Sequence, residues 1–284
     1  MTSPPSPPSP PSLPARLTTA FSRCPNDTFL FDALVHGRVP GAPGLDVTYA
    51  DIDVLNAAAA AERYDVVKVS YAALPDLLDR YQLLRAGSAL GRGCGPLVVV
   101  AGGRTSLAGA RVAIPGERTT AYLLFRLWAA GVELASVEVL PFDAIMPAVR
   151  DGGVDAGLII HESRFTYPSY GLRALADLGD WWEGATGLAI PLGAIVARRQ
   201  LDGAELSRLV RCSVEAAWAE PEASREYVMA HAQEMDPAVA DQHIALYVNG
   251  STADLGEQGY AAVTGLLDRA VDAGLVPPLA GPLR

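Results

Sequence analysis

Apolar residues fall along this chain in short blocks separated by polar turns, and the blocks alternate between two periods. Residues 17–21, 65–69, 95–101, 111–114, 136–140, 154–160 and 192–197 are brief runs rich in Val, Ile, Leu and Ala and read as buried strands. Between them, residues 26–36, 57–63, 119–130 and 142–150 read as helices, and from Gly203 onward nearly the whole chain reads as helix. Asn26 suits a helix N-cap, Asp27 suits the first turn, and Gly37 suits the stop. Strands alternating with helices predict an α/β fold. The order of the blocks predicts two lobes with a ligand cleft between them. A middle lobe over 101–193 is inserted into a lobe built from 16–100 and 194–284, with 97–101 and 194–197 as the crossing strands.

The run Val154-Asp155-Ala156-Gly157-Leu158-Ile159-Ile160 stops abruptly at His161-Glu162-Ser163-Arg164-Phe165-Thr166-Tyr167. Ligands of open α/β sheets sit outside the carboxyl ends of such strands. Imidazole titrates near neutrality and is the commonest general base, so His161 is a candidate for catalysis, with a structural role as the alternative. Glu162 either orients it or faces solvent. Three further strand-to-helix junctions are able to face the same cleft: Ser22 to Thr28, including Asn26; Lys68-Val69-Ser70 with Tyr71; and Pro115 to Thr120, including Thr119. Free amides and hydroxyls at helix N-termini hold carboxylates, so the four junctions together point to a small carboxylate ligand. Taken singly, Ser22, Ser70 and Thr119 are equally ordinary caps.

Composition narrows this picture. The 284 residues carry a net charge of −10, with 22 basic against 32 acidic side chains, which argues against nucleic acid as a partner. Lys68 is the one lysine in the chain. Cys24, Cys94 and Cys212 are odd in number and widely spaced, with no metal-ligand or disulfide pattern, which suits a reducing cytoplasm. Cys24 near a helix start reads as cleft lining or packing rather than as a nucleophile. No run approaches the roughly 20 apolar residues of a membrane span. Residues 1–15 are a Pro/Ser-rich stretch, read as a disordered tail without the features of a secretory signal. Gly91-Arg92-Gly93-Cys94-Gly95 lacks the residues of a phosphate loop and reads as a flexible turn or hinge. His36 reads as a partner for the C-terminus of the first helix. His231 and His243 lie on predicted helices without ligand spacing and read as structural. Trp181-Trp182 suits either a lid or the core.

Taken in order, several blocks carry a family resemblance. They are Ser22-Arg23-Cys24-Pro25-Asn26-Asp27-Thr28-Phe29 with Ala33-Leu34-Val35-His36-Gly37, Lys68-Val69-Ser70, residues 87–96, residues 115–120, His161 to Tyr167, Trp181-Trp182-Glu183 and Ile190-Pro191-Leu192-Gly193. The set resembles the 1,4-dihydroxy-6-naphthoate synthases of the futalosine route to menaquinone. The resemblance implies a type II periplasmic-binding-protein-like fold used as a carbon–carbon lyase. It would convert cyclic dehypoxanthine futalosine to 1,4-dihydroxy-6-naphthoate, release dihydroxyacetone, and need no metal or redox cofactor. It further implies His161 as proton acceptor and Lys68, Val69, Ser70, Thr119 and Thr120 as substrate contacts, in a monomer or weak homodimer. Two competing readings are the chorismate dehydratase of the same pathway and a non-catalytic carboxylate-binding protein of similar fold.

Overall fold

A computed structural model describes residues 13–232 and 236–284. The tail expected over 1–15 therefore lies, up to residue 12, outside the described residues. Leu13 is already packed against the core.

In chain order the elements are β1 (Arg16–Phe21), α1 (Pro25–Val35), β2 (Gly44–Tyr49), α2 (Ile52–Ala60), β3 (Val66–Ser70), a 3-10 turn (Tyr71–Asp76), β4 (Tyr81–Leu83), β5 (Ala89–Gly91) and β6 (Leu97–Ala101). Next come β7 (Arg111–Ile114), α3 (Thr120–Trp128), β8 (Ser136–Val139), α4 (Phe142–Arg150), β9 (Ala156–Ile159), α5 (Ser163–Thr166), a second 3-10 turn (Tyr167–Tyr170), β10 (Leu172–Asp177), α6 (Leu178–Thr186) and β11 (Ile190–Arg198). The chain ends in helices α7 (Gly203–Ala219), α8 (Glu222–His231), α9 (Pro237–Tyr247), α10 (Gly250–Ala253) and α11 (Gly256–Asp272). Among the described residues, no helix is long and apolar enough to cross a membrane.

These strands make two sheets. The first has the order β2-β1-β3-β11-β4, with β5 also paired to β11; the second has the order β10-β6-β9-β7-β8. The parallel pairs β1/β2, β1/β3, β7/β8 and β7/β9 bring the carboxyl ends of β1, β3, β7 and β9 toward a common region. Residues 97–101 and 194–197, expected to cross between lobes, lie in β6 and β11, and each of these strands pairs within one sheet only. The passage from one sheet to the other is made by residues 92–96 and 187–189.

Packing explains the local sequence. Helix α1 is buried around almost its whole circumference, because α7, α8, α9 and the first sheet all pack on it. Its N-cap is Cys24, with Pro25 as the first helical residue. Proline is pre-shaped for that position and its missing N–H costs nothing there. The cap expected at Asn26 therefore moves two residues back, and the Asn26 side chain is released for other bonds. In the second lobe, α4 lies close on β9. A Cβ on Gly157 would sit 2.6 Å from Ile145 Cγ2 and 2.8 Å from Val149 Cγ2, so the small residues of this run let the helix approach the strand that ends in His161. Strand β2 alternates exposed and part-buried positions at a sheet edge. Strands β4 and β5 are three residues each, too short for periodicity to mark.

The glycine-rich segment between the sheets is anchored rather than loose. The Gly93 amide and the Arg92 guanidinium donate to Glu183 at 2.7 and 3.2 Å, Arg164 donates to the Gly95 carbonyl at 2.7 Å, and Tyr247 Oη donates to the Cys94 carbonyl at 3.2 Å. Trp182 is fully buried, with its indole N–H on the Ala189 carbonyl at 3.1 Å, so it secures the return crossing and is no lid. Where the two crossings meet α6, backbone packs on backbone: a Cβ on Gly95 would lie 2.2 Å from the Gly179 nitrogen. Gly95→Ala is expected to lower stability by about 1–3 kcal/mol, as overpacking does, read as a fall in urea midpoint with an unchanged denaturant slope.

Candidate active site

The carboxyl ends of both sheets enclose a cavity lined by Ser22, Asn26, Asp27, Lys68, Ser70, Thr119, Thr120 and His161, with Ile52, Cys94, Ile160, Leu192 and Tyr247 among its remaining walls. Seven of the eight site residues expected from the sequence thus meet at one place. Val69 does not line it. Strand side chains alternate between faces, so Lys68 and Ser70 face the cavity while Val69, fully buried, joins the apolar core.

The floor is an ion pair. Lys68 Nζ lies 2.8 Å from Asp27 Oδ1, with both side chains almost wholly buried, and it also donates to the Gly87 carbonyl at 3.0 Å. Asp27 accepts two further bonds, from Ser22 Oγ at 2.7 Å and from Asn26 Nδ2 at 3.0 Å. A buried carboxylate is tolerable only with such saturation. Gly193 leaves the space the lysine stem needs, since a Cβ there would approach Lys68 Cε to 3.1 Å.

One wall is hydroxyl-rich, but most of its hydroxyl protons are committed. Thr119 caps α3, accepting from the Tyr122 amide at 3.1 Å and donating to the Gly116 carbonyl at 2.8 Å. Thr120 Oγ1 donates to the Leu192 carbonyl at 2.7 Å and accepts from the Ala72 amide at 3.2 Å, tying α3 to the first lobe. What this junction offers an anion is the amides of the first turn of α3, at Thr120 and Ala121, which have no partner inside the helix. Ser70 differs: its amide donates to Asn56 Oδ1 at 2.8 Å and its hydroxyl oxygen accepts from Asn56 Nδ2 at 3.1 Å, leaving the hydroxyl proton to point at a ligand.

His161 stands opposite. Its φ is +53°, a left-handed conformation rare for a residue with a Cβ and costly by about 1–2 kcal/mol. The ring meets the edge of Phe142, centroids 5.5 Å apart, and lies 6.2 Å from the ring of His243. Burial lowers the pKa of His161 to about 4; Asp27 opposes the shift and Lys68 adds to it. The imidazole is therefore neutral near pH 7 and able to accept a proton. Burial, with the nearby Glu162 second, pushes the Cys24 thiol well up, and burial lifts that of Cys94 to about 12. Both thiols stay protonated, which removes the nucleophile reading of Cys24.

Three neighbours were not among the expected site residues. His243, fully buried on α9, bonds Asn26 Oδ1 through Nε2 at 2.9 Å, and its Nδ1 lies 3.8 Å from Glu162 Oε2. Its signal was its place in the buried stripe of α9 with Ala240 and Tyr247. Asn56 sits in the buried face of an alanine-rich helix, where a polar residue needs a partner. Glu162, left open between two roles, is buried. His36 bonds Asp32 at the end of α1 as expected, and His231 packs on Tyr49 and Tyr227 away from the cavity.

A cleft between two α/β lobes, closed over convergent polar groups, defines the periplasmic-binding-protein-like class. The alkanesulfonate-binding protein SsuA from Xanthomonas axonopodis pv. citri, solved bound to MOPS, superposes with a TM-score of 0.69 at 18% identity, covering 94% of this chain and 96% of that one. A protein of Archaeoglobus fulgidus superposes with a TM-score of 0.87 at 36% identity, covering 92% and 99%. The profile of a family described as menaquinone biosynthesis matches residues 17–272. Two relatives named 1,4-dihydroxy-6-naphthoate synthase are similar over nearly their full lengths. That of Streptomyces coelicolor is 64% identical, covering 93% of this chain and 95% of the relative; that of Thermus thermophilus is 50% identical, covering 94% and 98%. The chain belongs to this menaquinone-biosynthesis family, grouped with its 1,4-dihydroxy-6-naphthoate synthases.

Two outcomes follow for the buried charges. Lys68→Met strands the Asp27 carboxylate and is expected to cost about 3–5 kcal/mol by urea unfolding, with Asp27→Asn added to it restoring a substantial part. The lowered values of His161 and His243 mean that the unfolded chain binds more protons than the folded one below pH 6.5. Stability is therefore full above that value and is lost as pH falls from 6.5 toward 4. Unfolding free energies measured across this window will show the slope, and His161→Asn will reduce it.

Proposed function

We propose that this chain is a carbon–carbon lyase that converts cyclic dehypoxanthine futalosine to 1,4-dihydroxy-6-naphthoate and releases dihydroxyacetone. It acts in the cytoplasm, as a monomer or weak homodimer. His161 is its general base. The observation that carries the reading is the neutral imidazole of His161, held on a strained backbone in the same cavity as the Lys68–Asp27 pair and the α3 N-terminus. The near-full-length identity to two proteins of that name supports the substrate class.

The chemistry fits the residues. The aromatic carboxylate of the substrate docks at the first turn of α3, beside Thr119 and Thr120, with Ser70 donating its hydroxyl proton. Lys68, Ser22 and Asn26, through the bonds to Asp27, shape the floor against the sugar-derived ring, and Val69 supports it from beneath as part of the core. His161 removes a proton, the spiro ring opens, and a retro-aldol-like step breaks the carbon–carbon bond. Aromatisation of the product drives the sequence, so general-base help of about 10²–10⁴-fold suffices for each assisted proton transfer. Closure of the lobes excludes water and holds the substrate in register.

His161→Asn tests this directly. Turnover is expected to fall by about 10²–10⁴-fold while the fold and product affinity persist; turnover near that of the wild type refutes the assignment. Because His161 acts when neutral, kcat/KM of the wild type will stay level as pH falls through 6.5. It will decline only in an acid limb near the lowered value of about 4.

A further inference from the structure

The main cavity is not the whole of the space that His161 faces. A second, smaller cavity adjoins it at the imidazole, and Ser22, Ile52, Ile160 and His161 line both. The remaining walls of the second cavity are Cys24, Asp51 and Asp53 from the first lobe, with Pro115 and Phe142 from the second. This cavity therefore also lies between the lobes. Phe142 meets the His161 ring edge-on, with the planes at 81°, so the imidazole stands where the two spaces join.

The two cavities differ in charge. The main one receives the first turn of α3, the positive end of a helix dipole. The second has two carboxylates on its wall, and none of its described lining residues is Lys or Arg. The Cys24 thiol on that wall is pushed up by burial and further by the fields of Glu162, Asp27 and Asp51, so the potential around it is negative. Such a space repels a carboxylate. It favours a neutral polyol, whose hydroxyls donate to carboxylate oxygens in charge-assisted bonds. The substrate of the proposed lyase has the same two ends: a carboxylate on an aromatic ring, and a neutral, hydroxylated three-carbon unit. The bond that breaks joins them.

We propose that the second cavity is the subsite of the departing three-carbon polyol, that Asp53 accepts its hydroxyl protons, and that the fragment leaves through this opening. This rests on the lyase reading above. The aromatic part then fills the main cavity with its carboxylate at α3, and His161 faces the bond between the two parts. Asp51 is exposed and Asp53 and Phe142 are half-buried, whereas the Lys68–Asp27 floor of the main cavity is buried. The fragment thus reaches solvent without crossing that floor, while the aromatic product is still held. Gly116 permits this shape. A Cβ there would lie 2.7 Å from Asp53 Cβ, so the loop after β7 closes directly on the start of α2. Asp53 also stands in the first turn of α2, where an acid complements the helix dipole, and the test separates that structural share from binding.

Dihydroxyacetone itself is the probe, in steady-state inhibition of the full chain. With the wild type, dihydroxyacetone and 1,4-dihydroxy-6-naphthoate are expected to inhibit together without excluding each other. Asp53→Ala is expected to weaken inhibition by dihydroxyacetone about 10-fold and to leave naphthoate affinity within about twofold, with Asp53→Asn in between. Mutual exclusion of the two products in the wild type overturns the subsite, as does a lack of inhibition by dihydroxyacetone where the naphthoate inhibits. Wild-type dihydroxyacetone inhibition in Asp53→Ala overturns it too. So does an equal loss of affinity for both products, which marks a merely structural role at the start of α2. If Asp53→Ala fails to fold, the paired inhibition of the wild type decides alone. Failure of the lyase reading looks different: mass spectrometry of the products then shows no three-carbon fragment. A released fragment with mutually exclusive product inhibition overturns only the subsite.

Discussion

Everything polar at the centre of this protein is organised by one buried ion pair. Lys68 rises from β3 and meets Asp27 in the first turn of α1, and around this pair the bonds of Ser22, Asn26 and the Gly87 carbonyl close. A buried charge pair gives little net stability, but the loss of either partner is severe. Its value here is geometric. It holds the start of α1 against the end of β3 and sets which way the Asn26 amide points, with its oxygen 2.9 Å from His243 Nε2.

The same arrangement explains how a fold shared with ligand receptors hosts a reaction. A binding protein needs donors that hold an anion and walls that close over it. This cavity is lined by the first turn of α3 and by Ser70, whose hydroxyl proton is uncommitted, and adds a neutral imidazole on a strained backbone at the end of β9. The low polarity that weakens His161 as a cation also keeps it unprotonated and available. It keeps the two nearby thiols protonated and out of the chemistry. Several hydroxyls that look like ligand donors are instead structural. The Thr120 hydroxyl spends its proton on Leu192 and thereby joins α3 to the first lobe.

Much of this was legible in the chain. The apolar runs marked β3, β6, β7, β9 and β11, which are largely buried and dense in branched residues, and β1, which is buried over its second half; β8, read as a buried strand, is also where expected but mostly exposed at a sheet edge. The junctions that follow them held most of the cavity residues, because the ends of parallel strands converge. Legibility failed where local pattern is weak or misleading. Strands β4 and β5 have no room for a period, and edge strand β2 has no fully buried face. Asn26 has the chemistry of a cap, but Pro25 took the first helical position and moved the cap to Cys24. Val69 shared a block with two cavity residues, yet the pleat turned it into the core.

What the sequence determined by itself was therefore the alternation of elements, the strand ends at which chemistry gathers, and the placing of His161 at one of them. Hydrophobic periodicity and turn chemistry are local properties, and they carry that information without reference to the rest of the chain. Only the tertiary structure decided the partners. Asp27 finds Lys68 across 41 positions of chain, His243 reaches Asn26 over a separation of 217, and the crossings settle against α6 because two glycines let backbones touch. Such contacts are set by how the layers pack, and so are the pKa values they govern. The neutral state of the buried His161 imidazole is a property of the assembled fold.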